Sequence, residues 1–542
     1  MGADSRTLIL LSSRREVIYR MLRSFSSFGE QLIQIVNLKS LPFIIIGVGI
    51  AVRFYQYVLA KSLWLDESFL ALNIVNKSFP ELLKPLDYGQ VAPIGFLFIE
   101  KLSVQLLGNN EYVLRLFPFL CGIISLFLFF QIAKRLLGKE AFLIALTLFS
   151  LSAYLISYSA QLKQYSTDVT AILLLYAITM YFQSQRLKVS HVASFGIVGA
   201  TTIWFSHPSV FVLAGIGICL SLFSLRRKEW REVGQLSIVY IIWLLSFAVS
   251  YVITFHPDKS TGNIESMQDI WVGAFAPFPP MSLSDVKWFT STFFKIFENP
   301  VGLHFAEIAT VMFIIGCASM FSKNKQWFFL LLAPIAITLI VSGLHLYPFI
   351  NRLILFIVPA VLLFIAEGAE TIVNKTRHNF PTIGIILLGL VLSTPILEAG
   401  YILTTQNTYR YRPVEDIKPV MNYIRKHKNE GDILYLYYSS STAFAYYANR
   451  FRFTDNEYIV GTRSREDLGN YAKELNRLRG NKRVWLLFSH DHVSKVTGVD
   501  EEKFFLYYLD SIGKRINHFK SDGAAVYLYD LSDRTYTTQT DF

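Results

Sequence analysis

Two neighbouring acids are the sharpest chemical feature of the chain. Leu63-Trp64-Leu65-Asp66-Glu67-Ser68 places Asp66 and Glu67 directly behind a tryptophan and just past a long apolar stretch, 41–60. Carboxylates at a membrane edge are costly against lipid unless they are used or paired. A carboxylate in that position can take a proton from an attacking hydroxyl as a general base. The bland alternative is a solvated helix N-terminus, where acids favour the helix dipole. A second candidate, His207 in Phe205-Ser206-His207-Pro208, sits at a helix break, where a lone histidine is more often a structural cap. Ser489-His490-Asp491-His492 lines up metal-ligand types, but adjacent residues rarely converge on one ion, so a surface turn is expected and no metal site.

The elements that must carry these groups are mostly membrane helices. Of 542 residues, 53% are hydrophobic and 17% charged, below the roughly 25% charged of soluble domains. That excludes disorder and a wholly soluble enzyme. A helix crosses the hydrocarbon core with about 20 apolar residues, and on that basis eleven spans are expected: 41–60, 113–133, 140–157, 169–185, 191–205, 209–224, 233–254, 303–321, 327–345, 353–373 and 381–402. The fifth and sixth come from splitting one apolar run at Pro208, which removes a backbone donor and breaks the helix. The first span does not read as a cleaved leader, since it lies behind forty residues and lacks a small-residue cleavage site.

The net charge of +11 might invite a nucleic-acid reading, yet the basic residues gather in short gaps between spans. The loops 134–139, 184–190, 225–232, 322–326 and 374–379 hold 13 Lys/Arg in 32 residues; the loops on the opposite side hold 9 in 121. By the positive-inside rule the former set, and with it the basic N-terminal segment 1–40, is cytoplasmic. The membrane module 41–402 then carries two long outer loops, 61–112 and 255–302, both expected to lie along the surface, the first with Pro93–Ile99 at the interface. A C-terminal domain, 405–542, emerges on the outer face. Its periodicity is that of a small α/β unit, with helices over Val414–Lys426 and Ser464–Arg479 and strands over Asp432–Tyr438, Arg483–Phe488 and Ala524–Asp530. Cys121, Cys219 and Cys317 all fall in apolar spans and define no disulfide framework. No internal repeat is visible, which weighs against repeat-built transporters.

An ordered string of motifs resembles one family. The acids at 66–67 are followed by Asp87-Tyr88-Gly89-Gln90-Val91-Ala92-Pro93, then Leu107-Gly108-Asn109-Asn110-Glu111-Tyr112-Val113-Leu114-Arg115-Leu116-Phe117-Pro118, then Ala133-Lys134-Arg135-Leu136-Leu137-Gly138. This resembles the first loop and second span of the GT-C membrane glycosyltransferases, more narrowly the glycosyltransferase family 39-like group of dolichyl- and polyprenyl-phosphate-sugar transferases. That group includes protein O-mannosyltransferases and lipid A aminoarabinose transferases. Tyr158-Ser159-Ala160-Gln161-Leu162-Lys163-Gln164-Tyr165-Ser166-Thr167-Asp168 is similar to the family's second outer loop, and Tyr347–Phe356 to the late span whose basic residue lies near the lipid phosphate. The second loop offers Lys163 and Asp168 where related enzymes often place other charges, and 255–302 is too short for the extra domain of the eukaryotic O-mannosyltransferases.

The resemblance implies a GT-C-like polytopic fold and an acid of the first outer loop, Asp66 or Glu67, as the base. The partners it implies are a polyprenyl-phosphate-linked sugar donor, a lipid, glycan or protein acceptor, and membrane lipids, with no nucleic acid. Cations on the outer side are informative because topology predicts few there. Lys163 and Arg352 are the expected phosphate ligands, Lys as a point charge and Arg through a planar fork. Lys163 reads equally well as a snorkelling interfacial residue. Tyr165, Gln90 and His207 complete the candidate binding set, and Arg115 is expected to pair with Glu111 four residues back. No cofactor is expected; a divalent cation is compatible with the acids but nothing calls for one. The reaction would be a single inverting displacement in which the polyprenyl phosphate leaves already ionised. The rivals are a transporter or lipid flippase, which would place its ionisable residues mid-membrane, an assembly protein working through its outer domain, and an O-antigen ligase-like transferase.

Overall fold

The computed structural model describes residues 39–183, 189–254, 271, 273–377, 379–405, 415–465, 467–490, 492–493 and 498–532. Nearly all of the expected basic N-terminal segment, residues 255–270 of the second loop expected on the outer side, and Asp491 lie outside the described residues. Helix α1 (Leu41–Val58) leads through an irregular turn into two short helices of the first long loop, α2 (Leu65–Asn76) and α3 (Ile94–Leu107). There follow α4 (Glu111–Leu136), α5 (Lys139–Leu151), α6 (Ala153–Ser159), α7 (Tyr165–Gln183), α8 (Val189–Phe205), α9 (Ser209–Arg226) and α10 (Trp230–Thr254). After α11 (Leu283–Glu298) come α12 (Ala306–Lys323) and α13 (Lys325–Gly343). A 3-10 turn, Asn351–Ile357, then runs into α14 (Val358–Thr376), and α15 (Pro381–Thr405) closes the bundle.

Among the described residues nine helices are long and apolar enough to cross a bilayer, counting the turn and α14 as one; α5 and α6, bent by 47°, together make a tenth. The segment expected as the fifth span forms α8, 17 residues long. The bend falls at Ser152, and a broken helix strips carbonyls of their partners in a medium with no water to replace them. Arg53 of α1 meets that need: fully buried, it donates to Ser150 O at 2.7 Å, Phe149 O at 3.4 Å and Gly49 O at 3.0 Å. Elsewhere the bundle closes by backbone approach. A Cβ on Gly316 would lie 1.8 Å from Phe364 O, and one on Gly368 1.8 Å from Met312 O, so only glycine lets α12 and α14 cross. α14 is thereby buried almost wholly at the centre of the bundle core.

The C-terminal domain is a five-stranded mixed sheet. In chain order it runs α16 (Ile417–His427), β1 (Ile433–Leu436), α17 (Ser441–Ala448), β2 (Tyr458–Val460), α18 (Leu468–Asn476), β3 (Val484–Ser489), α19 (Glu501–Ile512), β4 (Lys514–Ser521) and β5 (Ala524–Asp530). The strand order is β2-β1-β3-β5-β4, parallel from β2 to β3 and antiparallel beyond. Side chains alternate as the pleat requires. Leu434, Leu436, Trp485, Leu487, Val526 and Leu528 face α16 and α17, while Tyr435, Leu486, Phe488, Tyr527 and Tyr529 face α18 and α19. The three expected strands form at the expected places. β4 went unrecognised because it is a polar edge strand, exposed or half-exposed at every position.

The sheet face toward α16 and α17 does not end at the domain. Its core is continuous with Leu63, Leu70, Ala71 and Ile74 of the first loop and with Phe96 and Leu97 of α3. This also corrects the expectation that 61–112 simply lies on the surface: Glu100 is 0% and Lys101 8% exposed, with Lys101 Nζ donating to Val75 O at 3.0 Å.

Candidate active site

The two adjacent acids point to different fates. They occupy the first turn of α2, where successive side chains diverge around the helix. Glu67 turns inward. It is fully buried, and Arg115 of α4 grips it with a fork, Nε to Oε1 at 2.9 Å and Nη2 to Oε2 at 2.6 Å. Leu162 N adds a third donor to Oε1 at 2.6 Å. Arg115 spends its remaining donors on Lys61 O at 2.8 Å and Ser62 O at 3.3 Å. The expected Arg115–Glu111 pair is therefore replaced: Glu111 meets Lys418 at 2.6 Å and Arg450 at 2.9 Å, both from the C-terminal domain. Burial drives the exchange, because a buried carboxylate needs a partner whose geometry satisfies both oxygens.

Asp66 stays partly exposed. Arg352 Nη2 donates to its Oδ2 at 2.6 Å, across 286 residues of sequence. Their side chains keep 23% and 18% of their surface, so a ligand can reach this pair as it cannot reach the sealed Glu67. Three aromatic rings surround the guanidinium, with its carbon 5.5 Å from the Trp64 centroid and 5.8 Å from those of Tyr165 and Trp271. Such faces hold a cation by their quadrupole. Arg352 follows Asn351, whose φ of 46° lies in the left-handed region that asparagine tolerates better than most. Tyr347 OH donates to Leu353 O at 2.8 Å and fixes the turn. Arg352 Nε is buried with no hydrogen-bond partner among the described residues.

The other sequence candidates fall as follows. Lys163, buried, donates from Nζ to Gln90 Oε1 at 2.7 Å, so the second outer loop and the Asp87–Pro93 motif meet. Tyr165 joins the Arg352 cluster and packs edge-on to Tyr158 at 5.0 Å. His207 lies in the break between α8 and α9, and its carbonyl accepts from Val210 N at 3.4 Å. Burial lowers its imidazole to about 4, so at neutral pH it offers hydrogen bonds rather than a positive charge. Among the described residues no group of three or more His, Cys, Asp or Glu is placed to hold a metal ion. Sequence reasoning missed Trp271, which nothing in its surroundings distinguishes, and the Glu67–Arg115 fork, whose partners are 48 residues apart.

Residues 91–253 match the model of the dolichyl-phosphate-mannose-protein mannosyltransferase family. The crystal structure of ArnT from Cupriavidus metallidurans in the apo state superposes with a TM-score of 0.51 at 12% identity, covering 90% of this chain and 98% of that one. The same protein bound to undecaprenyl phosphate gives 0.51 at 12% identity, with 92% and 99% covered. The Archaeoglobus fulgidus oligosaccharyltransferase in complex with Zn and sulfate gives 0.48 at 12% identity, with 82% and 67% covered. No curated protein matches the chain in sequence. The chain thus shares the fold of ArnT, a membrane protein of many helices, and about a third of it matches the mannosyltransferase family model.

Proposed function

We propose that the protein transfers a sugar from a polyprenyl-phosphate donor to an acceptor, with Asp66 as the general base and Arg352 as the cation for the donor phosphate. The observation that carries this reading is the Asp66–Arg352 pair: a partly exposed acid and an aromatic-walled guanidinium held 2.6 Å apart. In the free protein each neutralises the other. A phosphate monoanion or dianion is the natural competitor for Arg352, whose planar fork suits it and whose Nε is unspent. Phosphate binding would release Asp66 beside the reacting centre.

The step then balances simply. The acceptor hydroxyl oxygen forms a bond to the anomeric carbon while Asp66 takes its proton. The carbon–oxygen bond to the polyprenyl phosphate breaks on the opposite face, with inversion. The phosphate leaves with the electron pair, and Arg352 offsets its charge. Glu67 serves to orient: with both oxygens engaged, it holds α2 against α4 so that Asp66 meets Arg352. Lys163, two residues before Tyr165 in the chain, together with its partner Gln90 supplies a second polar contact for phosphate or sugar.

The orientation belongs to this reading: the face that carries Asp66, Arg352 and the C-terminal domain is the extracytoplasmic one, as the Lys/Arg bias of the loops requires. The acceptor is a lipid, glycan or protein hydroxyl, amine or phosphate, and the sugar a hexose or pentose. The test is incubation of purified protein with radiolabelled polyprenyl-phosphate sugars. Sugar transfer or release by the wild type, lost in Asp66→Asn, supports the reading. Movement of intact donor across a bilayer without cleavage would favour the transporter instead.

A further inference from the structure

We infer that Glu415, in the C-terminal domain, is a positioning residue for Asp66, so that the domain is a working part of the membrane site. The inference rests on the assignment of Asp66 as base and extends it to a second domain.

The argument begins with an accounting of backbone groups. Residues 60–64 join α1 to α2 without regular structure, and Ala60 takes a left-handed φ of 39° that a non-glycine residue rarely adopts. Such a segment has no ladder to satisfy its polar atoms, and buried ones must find partners. Arg115 takes Lys61 O and Ser62 O, and several of the remaining partners come from the C-terminal domain. Lys418 Nζ donates to Ala60 O at 2.7 Å. Asp416 accepts from Ser62 N at 3.4 Å and also from Ser62 Oγ. Tyr447 OH accepts from Leu63 N at 2.8 Å. Glu415 Oε2 accepts from Leu65 N at 2.9 Å.

The last of these bonds matters most. Leu65 opens α2, so its N–H is one of the orphan donors of a helix start, and it belongs to the residue immediately before Asp66. A carboxylate here caps the helix and complements its dipole. Glu415 is itself fixed, since it is only 4% exposed and its other oxygen bonds His490 Nδ1 after β3. The line from β3 through His490 and Glu415 to Leu65 thus transmits the frame of the sheet to the turn bearing Asp66. Leu63, 0% exposed within the shared core, and the Glu111 pairs with Lys418 and Arg450 keep the two bodies in register. A displacement of about 1 Å can cost about a hundredfold in turnover when it moves a reacting group.

The experiment compares full-length wild type, Glu415→Ala, Glu415→Gln and Tyr447→Phe in detergent or nanodiscs. It reads donor KM, kcat, thermal midpoint and amide hydrogen exchange over residues 60–67. Gln keeps an acceptor for Leu65 N; Ala does not. The expected result is a 10- to 100-fold fall in kcat for Glu415→Ala with donor KM changed less than about threefold. Exchange at 60–67 should quicken, and Glu415→Gln should recover most of the turnover. Tyr447→Phe, which removes a different bond to the same segment, should lower kcat in the same sense. A Glu415→Ala enzyme with wild-type kcat despite faster exchange overturns the inference, and so does a loss of kcat that Gln fails to recover. If the wild type cleaves no polyprenyl-phosphate sugar, the assignment of function fails instead, while the exchange data still report on the contact.

Discussion

Arg352 reaches across 286 residues to place its Nη2 2.6 Å from Asp66 Oδ2, while the next acid in the chain, Glu67, is gripped by Arg115 on the other side of the same helix turn. Adjacent carboxylates with opposite environments are how a site separates roles. One is partly exposed beside a guanidinium ringed by aromatic faces; the other is sealed in a buried fork.

Asp66→Asn should lose roughly 10²- to 10⁴-fold in kcat, the usual share of a general base. Its thermal midpoint should stay near that of the wild type, because the side chain is partly exposed and Asn can still accept from Arg352. Turnover of labelled donor together with a melting curve checks both halves.

Arg352→Lys should not rescue function. Lysine keeps the charge but loses the planar fork that stacks on Trp64, Tyr165 and Trp271. A fall of roughly 10²- to 10³-fold in kcat/KM is expected, as for loss of one group stabilising a leaving anion. Steady-state kinetics in donor concentration gives the answer.

Breaking the Glu67–Arg115 fork should act on stability first. Either Glu67→Ala or Arg115→Ala leaves one buried charge uncompensated, at a cost of about 3–5 kcal/mol. Replacing both, as Glu67→Leu with Arg115→Met, should recover much of the melting temperature without recovering full activity. Thermal melting of the two singles and the double separates these outcomes.

Acid should weaken the C-terminal domain through His492. Burial, with Arg465, His490 and Arg463 nearby, lowers its imidazole to about 4. The unfolded chain binds a proton near the ordinary value of about 6.5, and the folded chain does not. Stability from this group is therefore full above about 6.5, falls as pH drops toward 4, and is constant below that. His492→Gln should flatten that limb of a melting-temperature profile.

Chelation should leave turnover unchanged, since the proposed step uses only protein side chains. Activity measured before and after EDTA, with and without added Mg²⁺ or Mn²⁺, tests this; loss on chelation with recovery on re-addition would require an ion at the acids.

Much of the architecture was legible along the chain because it depends on short-range periodicity. Apolar runs long enough to cross a bilayer fall where the long helices lie, and the buried, apolar strands of the C-terminal domain, β1, β3 and β5, were visible for the same reason. β4, polar at the sheet edge, and β2, only three residues long, carry too little pattern. Arg53 inside the first span gave no hint of its task, because the broken carbonyls it serves are some hundred residues away.

The same division holds at the site. The sequence alone determined that two acids follow the first long apolar helix and that a C-terminal unit with strands follows the helical part. These are matters of residue type and hydropathy, which are local. Which acid is exposed, which cation it meets and what holds the turn between them depended on tertiary structure. Asp66 and Glu67 are chemically alike and adjacent, and only the tertiary placement of α2 beside Arg115 of α4, the turn Asn351–Ile357 and α17 of the C-terminal domain decides that Arg115 takes one and Arg352 the other. The apparent appendage proved to share a core with the first loop for the same reason: burial of Leu63 and the needs of unpaired backbone groups are settled by neighbours far away in sequence.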